Sequence, residues 1–227
     1  MNLLCGALGV IFTFHGELNI AFYLMITAAV CDFFDGFAAR MLNAYSDMGK
    51  ELDSLADLVS FGLLPSLMLH RRLIEGGMTG FWAYLPLIIV VFSALRLAKF
   101  NVDDRQSENF LGLATPACAL WCGSLIFAAD HGVMSFANVI HDIQLIPVAS
   151  VVLALLMISE ITMFSLKYKK GSAYNRVRLY FLIMVAAVTV ATLILKINWS
   201  YIVFLSLTCY IIFNLLHALF SLKIVRK

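Results

Sequence analysis

Charged residues are scarce in this chain. Asp, Glu, Lys and Arg make up 13% of its 227 residues, whereas 62% are hydrophobic and the mean hydropathy is +0.92. A soluble domain is about half apolar, so this composition excludes an ordinary soluble globular protein. Internal repeats and low-complexity tracts are also lacking. Apolar runs of about twenty residues recur instead, and they predict an all-α, polytopic membrane protein.

A zinc-type cysteine pattern is missing as well. All five cysteines lie in or beside apolar segments, where a small buried hydrophobic side chain is the ordinary interpretation. Cys118 and Cys122 share a helical face, but no further His or Cys lies nearby, which excludes a zinc site there. The net charge of +2 is uninformative, and no nucleic-acid partner is expected.

Hydropathy predicts about eight membrane helices within a single domain, residues 1–227. Their predicted ranges are 2–14, 18–42, 50–69, 80–100, 112–129, 143–165, 179–196 and 200–222. Residues 2–14 have neither a basic start nor a small-residue cleavage site, so a helix is expected there rather than a cleavable signal peptide. Pro116 fits the first turn of the fifth helix. Glu160 is expected well inside the sixth helix, where it would need a partner.

The most informative stretch carries four acids between apolar flanks: Asp32, Asp35, Asp53 and Asp57. Acids at the edge of a membrane segment are costly to bury and are usually functional. The first two are three residues apart, and the last two are four apart, so each pair shares one face of a helix. If the two helices pack along these faces, the four carboxylates converge. Scattered acids on a solvated loop are the plainer alternative, which leaves the helical spacing unexplained.

Converging carboxylates require cations. Hard oxygen ligands suit Mg²⁺, Mn²⁺ or Ca²⁺, and two such ions can clamp a phosphorus centre during phosphoryl or phosphatidyl transfer. Gly36, Ala39 and Gly49 are small, which lets a backbone or a ligand approach closely. Arg40 lies near the first acid pair and can hold a phosphate.

These residues resemble the signature of the CDP-alcohol phosphatidyltransferase family, D-x2-D-G-x2-A-R-x8-G-x3-D-x3-D. All eight fixed positions match, over twenty-six residues, from Asp32 to Asp57. Further segments resemble the members that make phosphatidylserine: R-L-A-K-F-N from Arg96, F-L-G-L-A-T-P-A from Phe110, and M-I-S-E-I-T-M-F-S-L-K from Met157. The segment N-L-L-C-G, from Asn2 to Gly6, resembles a family segment that usually follows an additional P-N-x-x-T-like stretch. This chain is therefore expected to begin later than family members usually do.

The resemblance implies transfer of the phosphatidyl group from CDP-diacylglycerol to L-serine, giving phosphatidylserine and CMP. The mechanism that we hypothesise for it uses two divalent cations, Mg²⁺ or Mn²⁺, held by Asp32, Asp35 and Asp53 with Asp57 completing the second metal site, and Asp57 also acts as the catalytic base. Gly36, Ala39, Arg40 and Gly49 are then expected to bind CDP-diacylglycerol. The candidates for an anion of the acceptor or the lipid are Arg96, Lys99 and Asn101.

The distribution of basic residues predicts the orientation in the membrane. With the aspartates on one side, that side holds thirteen of the 16 Lys and Arg residues, and the other holds Arg71, Arg72 and Lys196. The carboxylate end is therefore predicted to face the cytoplasm, at the inner membrane. The resemblance places the catalytic core at about 2–167. It leaves helices at about 179–222 for packing or for a homodimer, which is usual among similar proteins.

Two alternatives stay open. The family signature does not separate serine from a phosphorylated acceptor such as glycerol 3-phosphate or inositol phosphate, although such an acceptor calls for a larger basic pocket. A divalent cation transporter is the alternative from another class. It would need acids along a continuous path through the membrane, whereas here the acids cluster at one end.

Overall fold

The structure is a computed structural model that describes residues 1–42, 46–102, 110–131, 144–163, 175–195 and 198–225. These residues are mostly helical, as the sequence predicts. The helices are α1 (Asn2–Phe14), α2 (Leu18–Met41), α3 (Asp47–Asp57), α4 (Leu64–Glu75), α5 (Phe81–Tyr84), α6 (Ile88–Val102), α7 (Thr115–His131), α8 (Leu145–Ile158), α9 (Asn175–Ile194) and α10 (Ser200–Val225). A π-helical segment, Leu58–Leu63, joins α3 to α4, and a 3₁₀ turn, Leu85–Leu87, joins α5 to α6.

Three helices in the described ranges are long and apolar enough to cross a membrane: Leu18–Ala39, the continuous helix Asp47–Glu75, and Phe81–Val102. The other apolar helices are shorter, and they are Asn2–Phe14, Leu145–Ile158, Leu179–Ile194 and Ser200–Leu216. The predicted number of eight crossings is therefore not confirmed. The third predicted helix, 50–69, is longer than expected at both ends.

The π-helical segment explains how a long helix tolerates Pro65. Proline has no backbone N–H and crowds the carbonyl one turn earlier, which breaks the regular α-helical pattern. Just before it, the N–H of Leu64 donates to Val59 O, five residues back, which is the wider π-type bond. Ser66 Oγ donates to Gly62 O at 2.6 Å, which satisfies a carbonyl beside the irregular turn. The helix therefore continues through Pro65 rather than ending there.

The prediction that helix six runs from 143 to 165 was wrong at its C-terminal end. Helix α8 ends at Ile158, Ser159 is extended, and the strand β2 (Thr162–Met163) pairs antiparallel with β1 (Phe110–Leu111). The N–H of Gly112 donates to Ile161 O at 2.9 Å and completes this small structure. Glu160 is consequently an exposed residue after the helix, not a buried one inside it.

The C-terminal helix α10 packs against α7 within the same chain. Trp121 Nε1 donates to Thr208 Oγ1 at 2.9 Å, and the Tyr201 hydroxyl donates to Ala128 O at 3.2 Å. The start of α7 agrees with the sequence, because Pro116 lies in its first turn. At least part of the C-terminal region therefore packs on the core, which was one of its two predicted roles.

Candidate metal centre

Three of the four predicted aspartates come together at one end of the helices. Asp32 lies on α2, and Asp53 and Asp57 lie one turn apart on α3. One carboxylate oxygen from each lies within 4.8 Å of the other two. Asp57 is 9% exposed, Asp32 is half-buried, and Asp53 is exposed. The group thus has an open side and a buried side.

Asp35 lies outside this group. It follows Asp32 by three residues on α2, but its side chain is exposed. A spacing of three residues rotates a helical side chain by about 60° from its predecessor, so both acids do not point equally toward α3. The role of Asp35 as a ligand stays a prediction.

The donor set fits a divalent cation. Carboxylate oxygens are the ligands that Mg²⁺ and Mn²⁺ prefer, and three negative charges this close repel one another strongly. Among the described residues, no Lys or Arg forms a salt bridge with any of the three. A bound cation would supply the missing positive charge.

Helix α3 is positioned by an N-terminal cap. Ser46 is extended, and its Oγ accepts a hydrogen bond from Gly49 N at 3.0 Å, an arrangement that stabilises the first turn. Asp47 adds a negative charge at the same end, which favours the helix dipole. This geometry gives Gly49 a structural role at the start of the helix that carries Asp53 and Asp57. Its predicted contact with CDP-diacylglycerol is a separate matter and stays a prediction.

The surface beside α2 is open at Gly36. A Cβ atom there would meet no atom within 4 Å among the described residues. Ala39 is half-buried nearby. The backbone of Arg40 continues α2, whereas its side chain lies outside the part that the structure describes. The space at Gly36 and Ala39 is compatible with a ligand lying along this helix.

Arg96, predicted to bind an anion, is a buried cation. Its side chain is 8% exposed, and Nη1 donates to Thr115 Oγ1 at 3.0 Å, which joins α6 to α7. Its Nε is buried and has no hydrogen-bond partner among the residues that the structure describes. A guanidinium with an unused donor is equipped to bind a carboxylate or a phosphate.

Lys99 and Asn101, the other two predicted anion-binding residues, have partners within the protein. Lys99 Nζ lies 3.8 Å from Glu160 Oε1, and both side chains are partly or largely exposed. Asn101 Nδ2 donates to Ser54 Oγ at 3.0 Å and Glu51 Oε1 at 3.3 Å, which ties α6 to α3. The described contacts of Asn101 are therefore structural, and the predicted ligand roles stay predictions.

Asn2 is a site residue that the sequence interpretation did not assign. Its Nδ2 donates to Asp57 Oδ1 at 2.9 Å and lies 3.4 Å from Asp32 Oδ1. The partners are 30 and 55 residues away in the chain, so spacing alone could not pair them. The sequence feature that could have indicated a role for Asn2 was the resemblance of Asn2–Gly6 to the corresponding segment of similar enzymes.

Comparison with known proteins finds relatives whose names describe phospholipid-type synthases and transferases. A CDP-diacylglycerol–serine O-phosphatidyltransferase of Bacillus subtilis (strain 168) is 37% identical over 115 residues, which are 51% of this chain and 64% of that protein. An archaetidylserine synthase of Methanothermobacter thermautotrophicus is 28% identical over 157 residues, 66% of this chain and 65% of that protein. A CDP-diacylglycerol–serine O-phosphatidyltransferase of Helicobacter pylori (strain J99) is 32% identical over 122 residues, 52% of this chain and 51% of that protein.

The chain thus spans about half to two thirds of the length of these relatives. A family model described as CDP-alcohol phosphatidyltransferase matches residues 1–156, which is more than half of the chain. The matched residues include Asn2 and all the predicted aspartates. The resemblance seen in the sequence is confirmed, and the chain belongs to the CDP-alcohol phosphatidyltransferase family.

Proposed function

We propose that this protein transfers the phosphatidyl group of CDP-diacylglycerol to the hydroxyl of L-serine, giving phosphatidylserine and CMP. The observation that carries the proposal is the gathering of Asp32, Asp53 and Asp57 within 4.8 Å in a chain of this family. Relatives named as serine O-phosphatidyltransferases support serine as the acceptor.

Two divalent cations, Mg²⁺ or Mn²⁺, are the proposed cofactor. Asp32, Asp35, Asp53 and Asp57 would hold them, with the three gathered carboxylates supplying the core of the site. When bound, the cations would offset charge on the pyrophosphate and stabilise the oxygens that enter and leave phosphorus.

Asp57 is the proposed general base. It would take the serine hydroxyl proton while the bond from serine oxygen to the lipid phosphorus forms and the bond from phosphorus to the CMP oxygen breaks. Its Oδ1 accepts from Asn2 Nδ2, which fixes the carboxylate and leaves the second oxygen for the proton. Asp57 is buried, which limits the access of bulk water that would compete with serine.

Different residues would bind the two substrates. Gly36, Ala39, Arg40 and Gly49 would bind CDP-diacylglycerol, with the open surface at Gly36 giving the nucleotide close access to α2. Arg96 would hold the carboxylate of serine through its unused Nε donor. Lys99 and Asn101 would support the same region, since both lie on the last turn of α6.

The charge near Arg96 favours serine over a phosphorylated acceptor. Glycerol 3-phosphate or inositol phosphate carries about two negative charges and calls for several cations. In the described part of the chain, Lys99 already lies against Glu160, and Arg96 is held by the neutral Thr115. One buried guanidinium matches one carboxylate.

The proposed location is the inner membrane, with the metal centre facing the cytoplasm. Thirteen of the 16 basic residues would lie on that side, which agrees with the positive-inside rule. Three membrane-length helices support an integral membrane protein. The number of crossings near eight, a core at about 2–167 and a homodimer remain part of this proposal.

The test uses purified protein in detergent with CDP-diacylglycerol. Radiolabelled serine, glycerol 3-phosphate and inositol phosphate are supplied in separate reactions, with Mn²⁺, with Mg²⁺ or with a chelator. We expect label in lipid, and equal release of CMP, only with serine and only with metal. Label from another acceptor would retain the reaction but overturn the assignment of Arg96.

Asp57→Asn is compared with Asp47→Asn, which makes the same change at an exposed position of the same helix. Loss of a general base lowers turnover by about 10²–10⁴-fold, so Asp57→Asn should be nearly inactive while still binding CDP-diacylglycerol. Asp47→Asn should remain active. Near-normal turnover in Asp57→Asn would remove its role as base, and metal binding without any CMP release would favour the transporter alternative.

A further inference from the structure

The first residue of α1 reaches into the metal centre from a third helix. Asn2 is 4% exposed, and its Nδ2 lies between Asp57 Oδ1 at 2.9 Å and Asp32 Oδ1 at 3.4 Å. These carboxylates are on α3 and α2, and like charges would otherwise drive them apart. A neutral hydrogen-bond donor between the two carboxylates opposes their repulsion. Because it carries no charge, it does not repel a cation bound to the same carboxylates.

The other end of the same amide is unsatisfied. Asn2 Oδ1 is buried and has no hydrogen-bond partner among the described residues. Buried polar atoms in native proteins nearly always have partners, so an orphan beside three carboxylates indicates a ligand or a water that completes the site. We therefore infer that the position of the Asn2 side chain serves the metal centre with its ligand bound, and not only the packing of α1.

Backbone contacts hold Asn2 in this position. Ser60 Oγ donates to Asn2 O at 3.2 Å, from the π-helical segment that follows Asp57. One turn further along α1, a Cβ at Gly6 would overlap Ser60 Oγ and would lie 2.9 Å from Ser60 Cα. The absence of a side chain at Gly6 thus lets α1 approach this segment closely enough for Asn2 to reach Asp57.

We propose that Asn2 is a positioning residue of the metal centre. Its amide nitrogen sets the separation of the Asp57 and Asp32 carboxylates at the value that a divalent cation requires. This inference rests on the proposed function, because it assumes that these carboxylates bind the metal. Residues that orient metal ligands in this way typically change metal affinity by about 10–100-fold when they are replaced.

The experiment measures Mn²⁺ binding directly, through the electron paramagnetic resonance signal of free Mn²⁺, in the full-length protein in detergent. Asn2→Leu keeps a side chain of similar shape and removes the donor. Asn2→Gln restores an amide on a longer stem. Thr13→Val is the control, because Thr13 is also buried on α1, and its described side-chain hydrogen bond stays within that helix, to Gly9 O at 2.9 Å. Melting temperature is recorded for each variant.

We expect Asn2→Leu to bind Mn²⁺ at least about 10-fold more weakly, with a melting temperature close to that of Thr13→Val, and Asn2→Gln to recover part of the affinity. The metal concentration that gives half-maximal CMP release should rise by the same factor. Unchanged Mn²⁺ affinity in Asn2→Leu overturns the inference. So does an equal loss in Thr13→Val, which would show that α1 acts only through stability.

Asp57→Asn separates this inference from the proposed function. If the wild-type protein binds Mn²⁺ and Asp57→Asn does not, the metal site stands and the result for Asn2→Leu decides the inference alone. If wild type and Asp57→Asn bind Mn²⁺ equally, Asp57 is not a metal ligand and the inference fails, whereas the proposed transfer stands or falls by the entry of labelled serine into lipid.

Discussion

Gly6→Ala should damage the metal centre without touching it. The added Cβ would overlap Ser60 Oγ and lie 2.9 Å from Ser60 Cα. Rotation of the serine hydroxyl removes the first contact but not the second, because the second is with the backbone. Ordinary carbon contacts are about 3.5–4.0 Å, so α1 must move away from the π-helical segment by roughly 0.6 Å or more.

That movement is large compared with the tolerance of the hydrogen bond from Asn2 to Asp57. The bond is 2.9 Å long, and a shift of about 0.6 Å takes it past the usual limit of about 3.2 Å. Overpacking costs about 1–3 kcal/mol, and the better helix propensity of Ala returns about 1 kcal/mol. The net loss in the free energy of unfolding is therefore about 0–2 kcal/mol, whereas Mn²⁺ affinity should fall about 10–100-fold.

Gly9→Ala is the matched control on the same helix. Its Cβ would lie 2.6 Å from Leu64 Cδ2 and 3.1 Å from Cδ1, and these methyl groups can move by a change of rotamer. We expect Mn²⁺ affinity and the metal dependence of CMP release to stay near those of wild type. Equal Mn²⁺ affinity in Gly6→Ala and wild type would refute the view that contact between α1 and this segment sets the site.

Four further variants test other parts of the structure. Gly112→Ala should lower the free energy of unfolding by about 1–2 kcal/mol for the positive φ of 75°, and by more because its Cβ would overlap a backbone carbonyl. Gly77→Ala, with a φ of 84° and open space, should show the backbone cost alone in the same thermal melts. Arg96→Lys keeps the positive charge but loses the planar set of N–H donors of the guanidinium. A lost hydrogen bond to a charged group is worth about 1.5–3 kcal/mol. It should raise the KM for serine about 10–100-fold in initial-rate assays, and an unchanged KM would contradict the assigned role. Glu160→Gln should leave the melting temperature nearly unchanged, since exposed ion pairs such as that with Lys99 contribute about 0–1 kcal/mol.

The gathering of the aspartates could be predicted because it follows from helical periodicity. Asp53 and Asp57 are one turn apart, so any helix there presents both on one face. Which acid of α2 joins them depends on how that helix is rotated about its axis. Helix α2 packs against α1 and also against α7, and in this arrangement Asp32 joins the acids of α3 while Asp35 is exposed. Sequence spacing carries no information about this angle.

The end of α8 could not be predicted for a related reason. The sequence after Ile158 contains neither Gly nor Pro before Lys167, so no residue there is a typical helix stop. The helix ends because Thr162–Met163 pairs with Phe110–Leu111, about fifty residues earlier. A two-residue strand leaves no periodic pattern, so the helical interpretation was the only one that local sequence favoured. The same error placed Glu160 inside a membrane helix.

The proposed role of Arg96 depends on neighbouring residues whose own contacts are structural. A buried cation is costly unless it is paired. Among the described residues, Arg96 donates to the Thr115 hydroxyl and its Cζ lies 5.9 Å from the centroid of the Phe100 ring, while its Nε has no hydrogen-bond partner there. Asn101, further along the same helix as Arg96, donates to Ser54 on the helix that carries Asp57. Asn101 therefore fixes the relation between the proposed anchor of the serine carboxylate and the proposed base. The proposal that Arg96 holds the serine carboxylate while Asp57 removes the hydroxyl proton therefore depends on this link between α6 and α3.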